Sequence, residues 1–127
     1  MSKDFVTVAL ADAFRVEAPD GSQVDVLAAC ARGSMARFSL APGLVSKAVR
    51  HRTVEELWYF IAGAGQMWRS NGVREEIIDV AEGLSLSIPV GTAFQFKASG
   101  TTPLEAIGVT MPPWPGMDEA EFVPGTW

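Results

Sequence analysis

Short runs of apolar residues recur along the chain, and turn-forming residues separate them at short intervals. In the run from Leu84 to Ile88, leucine and isoleucine alternate strictly with serine, which is the pattern of a strand with one buried face. The predicted strands are Phe5–Leu10, Ala13–Glu17, Val24–Ala31, Met35–Leu40, Ala48–Arg52, Glu56–Ala62, Gln66–Arg69, Val73–Val80, Leu84–Ile88, Ala93–Lys97 and Leu104–Thr110. Many short strands without a long amphipathic helix predict an all-β sandwich or barrel.

Two segments carry distinct local signals. The pair Asn71-Gly72 predicts a tight type I′ hairpin turn, because both residues tolerate positive φ. The tail that begins at Met111 contains three prolines within five residues, so it cannot be an interior strand or helix. We expect this tail to wrap over the barrel or extend from it, with one acidic helical turn over Asp118 to Glu121. Its tryptophans, Trp114 and Trp127, are expected to pack on the barrel, and packing on a partner subunit is the alternative.

Composition indicates a soluble, single-domain protein. The 127 residues are 48% hydrophobic and 20% charged, which fits one domain with its own core. No run is long enough for a membrane span, and the N-terminus lacks a signal-peptide pattern, so we expect a cytoplasmic protein without membrane association. The lone Cys30 lies in the apolar run Val26 to Ala31 and is expected to be a buried, inert thiol.

The charge distribution argues against nucleic-acid binding. The formal net charge is −5, and the ten Lys and Arg residues are scattered along the sequence. A protein that binds a phosphate backbone needs a basic patch. We therefore expect a small molecule, and no nucleic acid, as the partner.

Two spaced motifs give the chain a family resemblance. The first consists of Gly43, five residues, Val49-Arg50-His51, four residues, Glu56, six residues and Gly63. The second consists of Gly83, five residues, Pro89-Val90-Gly91, two residues, Phe94, three residues and Ala98. These frames resemble the two motifs of the cupins, and the resemblance covers about residues 35–110. It implies an antiparallel cupin (jelly-roll) β-barrel spanning residues 1–127 as one domain, with residues 111–127 as a tail.

Comparison with the cupin motifs also indicates which metal ligands this chain lacks. Cupins bind a divalent metal through three histidines and a glutamate, and here Val49 and Phe94 replace two of the histidines. Only His51, the sole histidine of the chain, and Glu56 remain. A catalytic metal usually needs three protein ligands. We therefore expect no cofactor, and if a divalent metal binds at all, His51 and Glu56 are its ligands.

Strand alternation predicts the pocket. Val49 and His51 share one face of their strand, as do Glu56, Trp58 and Phe60 on the next. Phe94 and Phe96 are expected to line the same interior. Arg37 and Gln66 lie on flanking strands whose inward face the sequence does not determine, and each is a further candidate for a polar contact with the ligand.

The sequence is compatible with three functions for such a pocket. His51 as a general base, with Glu56 as its orienting or acid partner, suits an isomerisation, dehydration or cyclisation by proton transfer. A non-catalytic module that holds a metabolite, as a sensor or carrier, explains the lost ligands equally well. A metal-dependent oxygenase or isomerase with an incomplete ligand set is the third. The resemblance also implies a homodimer, because cupins commonly pair through barrel faces and edge strands.

Overall fold

A computed structural model describes residues 4–127 of the chain. Nearly all of its regular structure is strand, and the bounds follow the alternating runs of the sequence. The strands are β1 (Phe14–Glu17), β2 (Gln23–Cys30), β3 (Gly33–Leu40), β4 (Val49–His51), β5 (Glu55–Ala62), β6 (Ala64–Ser70), β7 (Glu75–Ala81), β8 (Ser85–Ile88), β9 (Ala93–Ser99), β10 (Leu104–Met111) and β11 (Ala120–Phe122). Two short 3₁₀ turns, Leu10–Asp12 and Met117–Glu119, complete the set.

The strands form two antiparallel sheets that face each other. The first has the order β1-β2-β3-β10-β5-β8, and the second has the order β11-β4-β9-β6-β7. The two sheets are not joined by hydrogen bonds into a closed barrel. The all-β, antiparallel jelly-roll prediction is confirmed. Strands β1 and β2 precede the stretch that carries the motifs, yet they extend the same sheet as β3.

Side-chain alternation fills the space between the sheets. On β5, Glu56, Trp58 and Phe60 are buried whereas the intervening Leu57 and Tyr59 are about half exposed. The facing strands supply the rest of one continuous core, in which the largest fully buried side chains are Phe60, Met67, Ile88, Phe94, Phe96 and Leu104. Burial of such side chains is the dominant stabilising contribution.

A glycine of the first motif fixes the corner between β5 and β6. Gly63 has a φ of +78°, and a Cβ atom built on it would lie 2.2 Å from the carbonyl oxygen of Pro103. No other residue fits both the backbone conformation and the space. The turn between β5 and β6 therefore requires a glycine at this position of the motif.

Three local predictions are wrong. Phe5–Leu10 is not a strand: residues 4–9 have no regular structure and no strand pairs with them. The Asn71-Gly72 turn is not type I′, because only Gly72 has positive φ. Instead, the Asn71 side chain accepts the backbone N–H groups of Val73 and Arg74, and β7 begins two residues later than predicted. Cys30 is exposed, because it ends β2 at the turn into β3.

The tail wraps over the molecule. Residues 117–119 form a 3₁₀ turn instead of the predicted helical turn over 118–121, and β11 then pairs with β4. The Gln95 side chain accepts the backbone N–H groups of Thr126 and Trp127. The Lys97 ammonium lies 4.5 Å from the centre of the Trp127 ring. The Trp127 ring thus packs on Lys97 of β9, and the Trp114 ring contacts that of His51 on β4, so both tryptophans pack on their own sheets, as predicted.

Glu119 fastens the tail to the loop between β4 and β5. Its carboxylate accepts the backbone N–H groups of Arg52, at 2.6 Å, and Thr53, at 2.8 Å, and also the Thr53 hydroxyl. Burial raises the pKa of Glu119, but the hydrogen bonds from Thr53 and from backbone N–H groups outweigh it and hold the pKa below its ordinary value. The ionised form thus stabilises the fold.

No helix in residues 4–127 is long and apolar enough to span a membrane.

We predict that Glu119→Gln lowers the free energy of unfolding by about 1–2 kcal/mol at pH 7, because it removes charge-assisted hydrogen bonds. The pKa of Glu119 is depressed in the folded state. Its contribution is therefore complete above the ordinary pKa of 4.5 and is lost as pH falls from there through the folded pKa. Urea unfolding at pH 7 and pH 3 measures both effects. Glu121→Gln, at an exposed surface ion pair, is the control, and an equal loss in both variants would contradict the prediction.

Candidate functional site

A cavity of about 310 Å³ opens between the sheets next to the β1–β2 hairpin. Fifteen of its 21 lining residues are apolar or aromatic, and the six polar ones are Glu17, Asp20, Ser34, His51, Glu56 and Thr110. Mostly apolar walls with a few convergent polar groups are typical of small-molecule sites.

A smaller depression, of about 160 Å³, lies elsewhere and is mostly polar. Its Arg69 guanidinium is already engaged by Glu76, at 2.6 Å, and by the carbonyl oxygen of Ser87, at 2.8 Å. Arg74 also binds Glu76. Glu76 thus engages both guanidinium groups, and the larger, mostly apolar cavity is the candidate site.

His51 and Glu56 meet across the interior from opposite sheets. His51 ends β4 and Glu56 lies near the start of β5, and both are buried. The Nδ1 atom of His51 lies 3.0 Å from Oε2 of Glu56. The alignment falls short of a good hydrogen bond, so the contact is primarily electrostatic. Trp58 donates its indole N–H to Oε1 of Glu56 at 3.4 Å. The contact with Glu56 leaves Nε2 as the imidazole nitrogen that a ligand could use.

Aromatic rings hold the imidazole in place. The His51 ring centre lies 5.3 Å from that of Phe94 and 5.1 Å from that of Trp114, both in edge-on orientations. Trp58 stacks on Phe38 at 4.6 Å. These rings replace water on several sides of the His51–Glu56 pair, which strengthens the electrostatic interaction between the two side chains.

Asp20 is a cavity residue that the sequence reasoning missed. It lies in the turn between β1 and β2 and is 6% exposed. Both the hydroxyl, at 2.6 Å, and the backbone N–H, at 2.9 Å, of Ser22 donate to its Oδ1 atom. Burial raises the pKa of Asp20, and the nearby Glu56 raises it further, although the bonds from Ser22 and the charge of His51 act the other way. Pro19-Asp20-Gly21-Ser22 carries a turn signal, which the structure follows, and nothing in it marks a buried acid.

The tail forms the other wall that the sequence reasoning missed. Pro113, Trp114 and Met117 line the cavity, and the backbone N–H of Trp114 donates to the Ser34 hydroxyl at 3.0 Å. The Ser34 hydroxyl also hydrogen-bonds that of Thr110. A proline-rich segment carries no periodicity from which this placement could be derived.

Of the predicted pocket residues, the structure places Val49, His51, Glu56 and Trp58 on the cavity wall. Phe60, Phe94 and Phe96 do not line it. Their rings lie 5.2–5.9 Å from that of Trp58, and the indole separates them from the open space. They form the packed layer behind the site.

Arg37 and Gln66 lie outside the cavity, which corrects their prediction as ligand contacts. Arg37 has the opposite parity to the buried Phe38, and its guanidinium binds Glu105 at 2.5 Å. Gln66 alternates with the buried Met67, and its amide donates to Asp79 at 3.2 Å. Strand parity directs both side chains away from the interior.

The donor set does not fit the divalent metal that the resemblance implies. Among residues 4–127, no cluster of three or more His, Cys, Asp or Glu side chains is placed to hold a metal ion. Moreover, His51 and Glu56 contact each other. A catalytic metal site usually has three protein ligands, so no step of the chemistry is routed through a metal here.

Comparison with known proteins identifies the fold. No protein-family model and no curated protein sequence matches the chain. Among solved structures, oxalate decarboxylase from Bacillus subtilis has a TM-score of 0.79 at 17% identity, covering 97% of this chain and 33% of that one. Pac13 from Streptomyces, described as a unique nucleoside dehydratase, has 0.72 at 14%, covering 97% and 92%. KdgF from Halomonas has 0.70 at 14%, covering 84% and 94%. At these identities the likeness is one of fold.

We predict that Asp20→Asn stabilises the protein at pH 8 and not at pH 4. The pKa of Asp20 is raised in the folded state, so the folded state gains stability below the ordinary pKa of 3.8 and loses it as pH rises through the raised pKa. Asparagine stays neutral and keeps an oxygen for Ser22. We expect a melting temperature about 2–6 °C higher at pH 8, measured by circular dichroism.

Asp79→Asn is the control, because it makes the same change of charge at an exposed position. Lower stability of Asp20→Asn at pH 8 would contradict the prediction.

Proposed function

Because the chain shares the cupin fold of these three proteins, we propose that it binds a small organic molecule in the cavity and acts on it by metal-independent proton transfer. Isomerisation, dehydration or cyclisation are the reactions that this chemistry serves. The observation that carries the proposal is the contact between His51 and Glu56, 3.0 Å apart and buried among aromatic rings. Two ionisable groups are costly in an apolar interior, and an apolar filling of similar shape would be at least as stable.

In the proposed mechanism, His51 is the general base. Glu56 receives the Nδ1 side of the ring, which leaves Nε2 as the basic nitrogen. A substrate C–H next to a carbonyl gives its proton to Nε2. The resulting imidazolium is stabilised by the carboxylate of Glu56, which does not itself need to take the proton. In a dehydration, the same proton then returns to the departing hydroxyl group, which leaves as water.

The surroundings support this role. Contacts with the rings of Phe94 and Trp114 restrict the orientation of the imidazole, and positioned acid–base groups contribute roughly 10²- to 10⁴-fold to a rate. The apolar wall keeps bulk water from competing for the proton. The description of Pac13 as a nucleoside dehydratase shows that this fold accommodates an elimination, although the identity is too low to transfer its substrate.

The test is exchange of carbon-bound protons in heavy water. A panel of small cyclic β-hydroxy ketones is incubated with the protein, and proton NMR follows the exchange of the hydrogen next to the carbonyl and the formation of the enone. We expect His51→Ala to lower the rate about 100-fold or more, and Glu56→Gln to lower it roughly tenfold. Glu55→Gln changes the exposed neighbour on the same strand and should leave the rate unchanged.

Two results would contradict the proposal. Exchange that persists in His51→Ala would remove His51 from the mechanism. Binding to the cavity without any exchange, in wild type and variant alike, would assign the chain to the non-catalytic binding modules.

We further predict that protein purified without chelators or a metal-binding tag contains less than about 0.1 equivalent of Fe, Mn, Ni or Zn, because two ligands rarely hold a catalytic metal. Elemental analysis by mass spectrometry measures this directly. Stoichiometric metal that disappears in His51→Ala, but not in Glu55→Gln, would replace the proposal with a metal-dependent one.

A homodimer also remains a proposal. The exposed side chain of Phe14 lies on the edge strand β1, where a second copy would bind.

A further inference from the structure

The charges that face the cavity are unbalanced. Three carboxyl side chains line it, those of Glu17, Asp20 and Glu56, and no lysine or arginine among residues 4–127 does so. The only basic group on the wall is His51, which contacts Glu56. Asp20 therefore has no counter-charge of its own in the cavity.

Asp20 also has an unused oxygen. Both hydrogen bonds from Ser22 go to Oδ1, and Oδ2 receives none from the described part of the chain. Asp20 is more than nine-tenths buried, yet it lines the open space. Because the protein covers the rest of the side chain, the cavity is the place from which a partner can reach Oδ2.

The remaining wall is compatible with a cation. Trp58, Trp114 and Phe38 line the cavity, and although Trp58 and Phe38 cover one face of each other, aromatic rings accept positive charge better than negative charge. An anion would meet carboxyl groups without any basic side chain to receive it. The wall thus disfavours phosphates and carboxylates and favours a positively charged group next to apolar carbon.

We propose that the cavity takes a cationic ligand: a protonated amine on an apolar body about one ring in size, with its ammonium group on Asp20 Oδ2. The inference rests on the proposed use of the cavity as a ligand site, but not on any catalysis there. When the free protein carries Asp20 as the acid, binding transfers that proton to solvent and leaves an ammonium–carboxylate pair.

The affinity for the amine should rise with pH until the amine itself loses its proton. Asp20 is the group whose ionisation the ammonium requires, and burial raises its pKa. The titratable groups that face it are Glu56 on β5, His51 on β4 and Glu17 on β1, with Ser22 as its hydrogen-bond donor. The charge of Glu56 would reinforce binding of a cation, and protonation of His51 would weaken it.

The experiment compares three probes that share one ring and differ in charge: benzylamine, benzyl alcohol and benzoate. Isothermal titration calorimetry and chemical-shift mapping at pH 7 measure their affinity and position. We expect benzylamine to bind at least tenfold more tightly than benzyl alcohol, and benzoate to be the weakest of the three. Titration in buffers of different ionisation enthalpy should show proton release on binding of benzylamine alone.

Two variants test whether Asp20 is responsible for the preference for benzylamine. Asp20→Asn should weaken benzylamine at least tenfold and leave benzyl alcohol within about twofold. The matched control Asp79→Asn makes the same change of charge on the outer surface and should leave both probes unchanged.

Three results would overturn the inference: benzyl alcohol or benzoate binding as tightly as benzylamine, benzylamine binding that is indifferent to Asp20→Asn, or no binding of benzylamine. The first two leave the cavity as a ligand site with a different preference. Loss of the proposed function is recognised separately, by proton exchange that does not depend on His51.

Discussion

Contact between two ionisable side chains in an apolar interior is the constraint around which this molecule is arranged. His51 comes from one sheet and Glu56 from the other, so each supplies the partner that the other needs away from water. Neither could remain buried alone without a large cost in stability. The ring of Phe94, the indole N–H of Trp58 and the ring of Trp114 all contact this pair and restrict its orientation. What the site can do chemically follows from that pairing.

Much of the framework could be predicted from the sequence, for identifiable reasons. Strict alternation in β5 and β8 shows which residues face inward, and the motif glycines, such as Gly63, are required by the local backbone. The spacing of the first motif also predicts that His51 and Glu56 face one interior, and the two side chains are in contact there. Alternation does not predict which of the inward-facing side chains reach the open cavity. Phe94 and Phe96 point inward as expected, but whether they reach the open space depends on how far the Trp58 ring extends.

Two parts of the cavity wall could not be predicted because they lie outside periodic structure. Asp20 sits in a hairpin turn, where an aspartate is expected for local reasons, and only the packing of the hairpin against the other sheet buries it. Trp114 follows a proline pair, and its position depends on Glu119, which binds backbone N–H groups more than sixty residues earlier in the chain. Such long-range contacts leave no trace in hydrophobic periodicity. They nevertheless determine what charge and shape the cavity presents.

The order in which the walls occur along the chain has a consequence for biosynthesis. Every strand of the framework except β11 is complete by Met111, whereas the wall formed by Pro113, Trp114 and Met117 comes afterwards. On the ribosome, both sheets can therefore associate while His51 and Trp58 still face solvent through an open side. Only when residues 112–122 have emerged does β11 pair with β4 and close that side. The cavity is thus completed only after β10, and a nascent chain that stalls between β10 and β11 would carry both sheets with the His51–Glu56 pair uncovered.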